Sequence, residues 1–261
     1  MYKMSEVIKV IEDFAPPKIA AAWDNVGLLL GRTERDVAKV LLGLDVTDEL
    51  VAEAIEGGYQ AIITHHPLMR DGLKAINDAT PFGRRLLTLA EHKISVYSAH
   101  TNLDFCTGGV NDQLFDILEL NDRQGLLEDS AGVFAGRAGT MPKPMPLADF
   151  AAFVKDKLDL PVGIFYGEPA HEVRKVGMIG GGGANEEAFK AALEIGCDTY
   201  VTSDIKYSMS LMAKDMGLKL VDATHYGSEM VFTRSLVKLF AEKLPKLEVH
   251  VSKIDGQTIK L

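Results

Sequence analysis

Histidine and carboxylate side chains stand where several apolar runs of this sequence end. Imidazole nitrogens combined with carboxylate oxygens, without a thiolate, are the donors expected around a borderline divalent cation. The pattern therefore predicts a metal site. Its candidate ligands are His65, His66, Asp104, His225 and Glu229.

The adjacent pair His65-His66 indicates more than one ion. Neighbouring residues of a regular strand point to opposite faces, so both rings cannot bind one ion unless the chain bends there. Pro67 confines His66 to extended backbone angles. Two ions a few ångströms apart, with one histidine each, are the simplest arrangement.

His225 and Glu229 lie four residues apart, which places them on one face of a helix. With two oxygens, Glu229 can bridge both ions, and it is also the predicted catalytic residue. Asp104 would complete one coordination sphere, and water or substrate would take the open positions. A single histidine at a strand end is usually only hydrogen-bonded. The prediction therefore depends on all three groups of candidate ligands together: His65-His66, Asp104, and His225 with Glu229.

Three further residues are candidates for supporting roles around the predicted metal site. His100 is predicted to orient a neighbouring ligand rather than to bind metal, and Asp45 to hydrogen-bond a ligand histidine. Trp23 could line a pocket, although a lone tryptophan is more often part of a core.

Glycine and basic residues offer weaker alternatives. The run Gly180–Gly183 could cradle phosphate, but it lacks the full glycine motif and the lysine of a nucleotide-binding loop, so a tight turn is favoured. Lys206 could meet an anionic substrate or simply begin a helix. A triphosphate could be bound by a basic cluster, for which a solvated surface is the default; its residues are Arg70, Lys74, Arg84 and Arg85.

Alternating strands and helices must position these side chains. Apolar runs predict strands at 38–46, 60–64, 94–99, 175–179, 199–202 and 218–223, with helices between them. Ser5 is the predicted N-cap of the first helix, and the last helix is predicted over 228–243. The stretch 125–146 is predicted to be a strand followed by a loop between subdomains.

This order predicts an α/β fold: two α/β lobes with mixed, largely parallel sheets covered by helices, and the metal site in the cleft between them. Ligands collect at the carboxyl ends of strands in such sheets. The predicted lobes are residues 1–107 plus 230–261, and residues 108–229.

Composition excludes several classes of protein. The 261 residues carry a net charge of -9, which argues against general binding to a nucleic-acid backbone. No apolar run is long enough for a membrane span. With only two cysteines, a disulfide framework is not expected, and a cytoplasmic location is the default.

Eight short motifs spread over nearly the whole chain are more specific than any of these patterns. They are WDNVGLLLG (23–31), LDVT (44–47), IITHHPL (62–68), SAHTNLDF (98–105), GGVND (108–112), GGGGA (180–184), SDIKY (203–207) and THYGSE (224–229). With these motifs the chain resembles the Nif-three-like family, also described as GTP cyclohydrolase 1 type 2 homologues.

The resemblance implies a two-metal site formed by the five candidate ligands, with the glutamate as the bridge. It also implies two α/β lobes and a toroidal hexamer built as a trimer of dimers. At 261 residues the chain resembles the short form of the family, without an inserted domain. Relatives often have a histidine just after the SDIK-like stretch, where this chain has Tyr207-Ser208, so a role for that histidine in handling substrate is not implied here.

The function predicted from these features is a dinuclear metal-dependent hydrolase that acts on a nucleotide or another phosphorylated small molecule. Opening of the guanine imidazole ring of GTP, with release of formate, follows from the resemblance alone. A metal-dependent phosphoesterase and a non-catalytic, metal-binding hexameric scaffold are the alternatives. The donor set does not distinguish zinc, manganese, iron and nickel.

Overall fold

A computed structural model of the protein describes residues 1–128 and 132–257. The chain divides into two compact α/β units. Unit 1 comprises Met1–Cys106 and Phe232–Gly256, and unit 2 comprises Thr107–Val231 together with Gln257.

Strands and helices alternate along most of the described chain. The strands are β1 (Tyr2–Lys3), β2 (Gly27–Leu30), β3 (Asp36–Val37), β4 (Lys39–Gly43), β5 (Ala61–Thr64), β6 (Ser95–Ser98), β7 (Asn121–Glu128), β8 (Phe134–Pro146), β9 (Ile164–Tyr166), β10 (Glu172–Met178), β11 (Thr199–Thr202), β12 (Lys219–Asp222) and β13 (Glu248–Val251). The α-helices are α1 (Met4–Phe14), α2 (Asp48–Glu56), α3 (Pro81–Glu91), α4 (Thr101–Phe105), α5 (Val110–Ile117), α6 (Leu147–Leu158), α7 (Glu186–Glu194), α8 (Tyr207–Met216), α9 (His225–Glu229) and α10 (Phe232–Lys243). One 3-10 turn covers Pro17–Ile19.

The main sheet of unit 1 has five strands in the order β13-β4-β5-β6-β2. Its first four strands are parallel, and β2 pairs antiparallel with β6 at one edge. Consecutive residues of the central strands, such as Leu41-Leu42 and Ile62-Ile63, are fully buried. Strands that are buried on both faces are the expected result when helices cover both sides of a parallel sheet.

The sheet of unit 2 has six strands in the order β7-β8-β10-β11-β12-β9. Its centre, β10-β11-β12, is parallel. The hairpin β7-β8 and the short strand β9 join that centre antiparallel. The predicted α/β class is thus confirmed, with a mostly parallel sheet in unit 1 and a mixed sheet in unit 2.

Several helices begin at a polar N-cap residue. Thr47 caps α2, Thr80 caps α3, and Asn185 caps α7; each side chain accepts a hydrogen bond from a backbone N–H of the first helical turn. The predicted Ser5 cap is wrong, because α1 begins at Met4. There the Glu6 carboxylate accepts from the N–H of Lys3 instead.

Two other predicted elements differ from the structure. Residues 125–146 form much of the β7-β8 hairpin of unit 2 rather than a strand and a loop between subdomains; positions 129–131 of that stretch lie outside the described residues. The single helix predicted over 228–243 is two helices, α9 and α10. No helix in the described part of the chain is long and apolar enough to cross a membrane.

Candidate metal centre

The carboxyl ends of three strands of unit 1 stand side by side. Gly43 of β4 pairs in register with Thr64 of β5, and Thr64 pairs in register with Ser98 of β6. Polar residues follow each strand within two positions, so the parallel register brings these residues to one edge of the sheet. The residues delivered there are Asp45, His65, His66 and His100.

His65 is fully buried at this edge. Its Nδ1–H donates to the carbonyl oxygen of Ala99 at 2.9 Å. Because a carbonyl can only accept, the ring carries its proton on Nδ1, and Nε2 keeps the lone pair that a metal needs. Nε2 lies 3.4 Å from Oδ1 of Asp104, which α4 presents to the ring.

His66 is held at three points. Its Nδ1–H donates to Oδ1 of Asp45 at 2.7 Å, its backbone N–H donates to Leu44, and its carbonyl accepts from the Thr64 hydroxyl. The two adjacent rings have centroids only 5.4 Å apart, at an interplanar angle of 42°. The strand ends at Thr64, so the opposite-face rule no longer separates His65 from His66.

His100 is fixed by a buried carboxylate. Its Nδ1–H donates to Oδ1 of Asp24 at 2.9 Å, and the backbone N–H and hydroxyl of Thr101 donate to the other oxygen. Burial opposes ionisation of Asp24, but the hydrogen bonds from His100 and Thr101 outweigh it and hold the pKa of this carboxyl far below its usual range. Asp24 therefore remains a charged acceptor at neutral pH.

One ring nitrogen from each of His65, His66 and His100 lies within 4.8 Å of the others. The ring centroid of His100 is 5.0 Å from that of His65 and 5.7 Å from that of His66. Such a group can hold a metal ion. The sequence interpretation gives His100 an orienting role, whereas the geometry also places it among the donors.

Unit 2 contributes a second donor set on the short helix α9. Nε2 of His225 is 3.0 Å from Oε2 of Glu229, as expected for residues four apart on one helical face. The Nδ1–H of His225 donates to Oδ2 of Asp204 at 2.7 Å. Thr224 caps this helix by accepting from the N–H of Gly227, so the turn that carries both donors is anchored.

The carboxylates around His225 change its acidity. The hydrogen bond to Glu229 is the main cause, and Asp204 adds to it; together they overcome the effect of burial and raise the pKa of His225 to about 9. Without a cation this imidazole is protonated at neutral pH. A bound divalent cation would replace that proton, because both side chains then share a positive partner.

The glycine run Gly180–Gly183 leaves space for the side chain of Glu229, and its backbone amides are not arranged to bind a phosphate. A Cβ at Gly181 would lie 1.8 Å from Oε1 of Glu229, and the backbone there has φ +68°. The amides of Gly180, Gly181 and Gly183 already donate, to Asn111, Ser228 and Thr202 respectively. The tight-turn interpretation therefore fits, and the phosphate cradle does not.

The four histidines share one arrangement. Each has its Nδ1–H directed to an oxygen acceptor, which leaves Nε2 as the nitrogen that a cation can reach, in His225 by replacing the proton there; the acceptors are Ala99, Asp45, Asp24 and Asp204. Histidine ligands of metals almost always have such a partner on the other nitrogen. A borderline cation thus fits the donors of both units.

The candidate ligands are easier to identify from the sequence than the residues that orient them. The sequence predicts that Asp45 orients a histidine, but it assigns no such role to Asp204. The contact of Asp24 with His100 spans 76 positions and gives no local signal. The role of Gly181 depends on the fold in the same way.

The basic residues lie at the surface, as expected, whereas the position of the tryptophan differs from the expected one. Arg85 pairs with Asp48 at 2.7 Å, and Arg84 donates to the carbonyl of Asp78. Arg70, Lys74 and Lys206 are exposed. Trp23 is exposed as well, so the expectation that it belongs to the core is wrong.

Comparison with known proteins gives one family. Residues 2–258 match the family model described as Duf34/NIF3 (NGG1p interacting factor 3). A Clostridium perfringens protein named GTP cyclohydrolase 1 type 2 homolog is 34% identical over 256 residues, which cover 96% of each chain. A crystal structure of a Bacillus cereus protein related to NIF3 matches with a TM-score of 0.93 and 25% identity, covering 100% of this chain and 99% of that one. A Staphylococcus aureus protein matches with a TM-score of 0.91 and 30% identity, over 99% of both chains. The chain belongs to the Duf34/NIF3 family.

Proposed function

We propose that this protein is a hydrolase that depends on two divalent metal ions, held by His65, His66, Asp104, His225 and Glu229. The observation that carries the proposal is the shared orientation of the histidines. In each of them an acceptor on Nδ1 reserves Nε2 for a cation. Zinc, manganese, iron and nickel all suit this donor set.

Divalent ions bound by these residues would lower the pKa of coordinated water, so that hydroxide is available at neutral pH. The protein's own residues would orient the metal ligands and hold a proton. Asp45 and Asp204 keep two of the imidazoles in the required tautomer. Glu229, with its side chain almost fully buried, contributes two oxygens, and a carboxylate beside His225 is also placed to hold a proton during the reaction.

For the substrate we propose a purine nucleotide, with hydrolytic opening of the imidazole ring and release of formate. The support is the name of relatives at 30–34% identity, GTP cyclohydrolase 1 type 2 homolog. A phosphoesterase would use the same ions, and a non-catalytic scaffold would bind them without converting any substrate. The reaction product therefore distinguishes ring opening, phosphate ester hydrolysis and simple metal binding.

The test is to incubate metal-loaded protein with GTP and to measure formate and inorganic phosphate separately. We expect formate from the wild type, and a loss of at least ~100-fold in His65→Ala and Glu229→Gln, as for other essential catalytic groups. The matched control is His92→Ala, because His92 is an exposed histidine that directly follows α3 and whose ring contacts the carbonyl oxygen of Thr88.

Three results would contradict the hydrolase of GTP as proposed. Phosphate without formate would make the protein a phosphoesterase. No product above background, with metal still bound, would favour the scaffold. Equal formate release by His65→Ala and the wild type would mean that the activity does not use this centre.

We also propose that the chain assembles with itself into a hexamer, a trimer of dimers. The proposal rests on the family resemblance. Sedimentation at several concentrations tests it, with a mass of six 28.4 kDa chains as the expected result. A monomer at all concentrations would overturn it.

A further inference from the structure

The only tryptophan of the chain is unusually exposed. Trp23 has 71% of its surface open to solvent. Aromatic rings of this size normally contribute their area to a core or an interface. An indole left in water at a defined position therefore calls for a partner that is absent from the folded unit.

The loop that carries Trp23 is held on both sides. The N–H of Ala21 donates to the hydroxyl of Thr101 at 2.9 Å, and the side-chain amide of Asn25 donates to the carbonyl of Met69 at 2.7 Å. Between them, the carboxylate of Asp24 is buried against His100 and Thr101. The indole is exposed on an anchored segment, and not on a free one.

The same anchors place the indole beside the histidine group of unit 1. The ring centroids of Trp23 and His100 are 5.9 Å apart, with an interplanar angle of 72°. His100 in turn lies 5.0 Å from His65, centroid to centroid. This edge contact fixes the indole next to the candidate metal donors while most of its surface stays open.

We propose that Trp23 is the stacking platform for the planar heteroaromatic ring of the ligand, a nucleobase, whose reacting part lies at the histidines. The inference rests on the proposed function and adds a residue that would select the substrate class. Bases stack on aromatic side chains through their π faces, and this interaction does not need a charged group. Trp23 would thus favour nucleotides over simple phosphate esters.

The single tryptophan makes the test direct, because all indole fluorescence comes from position 23. Metal-loaded protein is titrated with GTP, guanosine and inorganic tripolyphosphate. We expect saturable quenching with GTP and guanosine, and none with tripolyphosphate, which has no base. An indole already shielded from water before any ligand is added, with no response to GTP, would overturn the proposal and point to a second copy of the chain as its partner.

Variants test the energetic side of the proposal. In Trp23→Ala the Kd for GTP, measured by calorimetry, should rise by roughly 5- to 150-fold, which corresponds to the loss of one stacked base, while Trp23→Phe should recover part of it. Tripolyphosphate should bind all variants alike. The control is Val237→Ala, which shortens an exposed apolar side chain on α10.

The outcomes separate this inference from the hydrolase itself. Formate release with an unchanged KM for GTP in Trp23→Ala would overturn the stacking role and leave the enzyme standing. Quenching by GTP without any product would support the stacking role while the proposed reaction fails. Absence of GTP and guanosine binding would overturn the stacking role whatever the activity toward other substrates.

Discussion

The imidazole of His66 illustrates how the fold orients a proposed metal ligand. Oδ1 of Asp45 accepts a hydrogen bond from Nδ1–H at 2.7 Å, so the ring cannot present that nitrogen to a cation, and Nε2 is left as the ligand atom. His225 has the same arrangement with Asp204. At this scale the orienting acceptor matters almost as much as the ligand, because it selects the tautomer and limits rotation of the ring.

Removing such an acceptor should weaken metal binding without unfolding the protein. We expect Asp45→Ala to lower the affinity for Zn²⁺ or Mn²⁺ by roughly 10- to 100-fold, measured by titration calorimetry. Asp48→Ala is the matched control: Asp48 is an exposed carboxylate three positions away that pairs with Arg85. Identical affinities in the two variants would contradict an orienting role for Asp45.

Residue types and spacing were enough to identify the candidate ligands but not their environment. His225 and Glu229 could be paired in advance because four positions on a helix define a face. Asp24 could not be assigned, since its partner His100 becomes a neighbour only when the loop and strand β6 fold together. Trp23 was misassigned because composition favours a buried indole and says nothing of a loop that holds it outward.

At the scale of elements, the turn between β10 and α7 shapes the surroundings of Glu229. Gly181 has a left-handed backbone conformation, φ +68°, and no space for a Cβ beside the carboxylate. A glycine is required there for two separate reasons, conformation and close approach. The backbone conformation of this turn thus helps to set the position of Glu229, a proposed metal ligand.

Two glycine variants separate these reasons. Gly181→Ala and Gly196→Ala should both lose about 1 to 2 kcal/mol of unfolding free energy, because both positions have a left-handed φ. Only Gly181→Ala should also lose metal affinity, since its Cβ collides with Glu229 whereas the space at Gly196 is open. Urea denaturation and metal titration of both variants check this. Unchanged metal affinity in Gly181→Ala would show that Glu229 is not needed in its present position.

The hairpin β7-β8 shows where prediction from local chemistry fails. Prolines at 142, 144 and 146 favoured a loop, because proline cannot donate to a sheet. In the structure, β8 pairs with β7 only as far as Thr140, and the pairing with β10 shifts register between Val173 and Lys175. Pro142 and Pro144 lie between Thr140 and Met145, where the pairing with β10 shifts register, and Pro146 is the last residue of the strand, so the missing donors cost little.

At the scale of the whole molecule, hydrophobic runs predicted most strands correctly because the central strands are buried on both faces. The fully apolar stretch Ala61–Ile63 is a clear example. Strands of the sheet edges were harder to predict. Ile164–Tyr166 is only three residues long and half-buried, so neither its length nor its pattern marks it as β9.

Buried thiol and phenol groups predict how stability depends on alkaline pH. Burial raises the pKa of Cys197 to about 12, and burial also raises the pKa of Tyr97 and of Tyr200 above the ordinary value. A raised pKa in the folded state stabilises the fold below the pKa of the unfolded chain, and this contribution is lost as the pH rises through the folded pKa.

The free energy of unfolding should therefore fall as the pH rises above about 9, the ordinary pKa of a cysteine. Urea denaturation between about pH 8 and about pH 11 measures the slope. Cys197→Ala should have a shallower slope than the wild type, because one titrating group is removed. An equal slope would mean that the thiol of Cys197 ionises as readily in the folded protein as in the unfolded chain.

If five side chains hold two divalent ions as proposed, the purified protein should contain both of them. Elemental analysis after dialysis should find two ions per chain in the wild type and in His92→Ala. It should find at most one in His65→Ala and in Glu229→Ala. A wild-type protein that retains no metal after incubation with zinc, manganese, iron and nickel, or variants that still hold two ions, would rule out a two-metal centre at these residues.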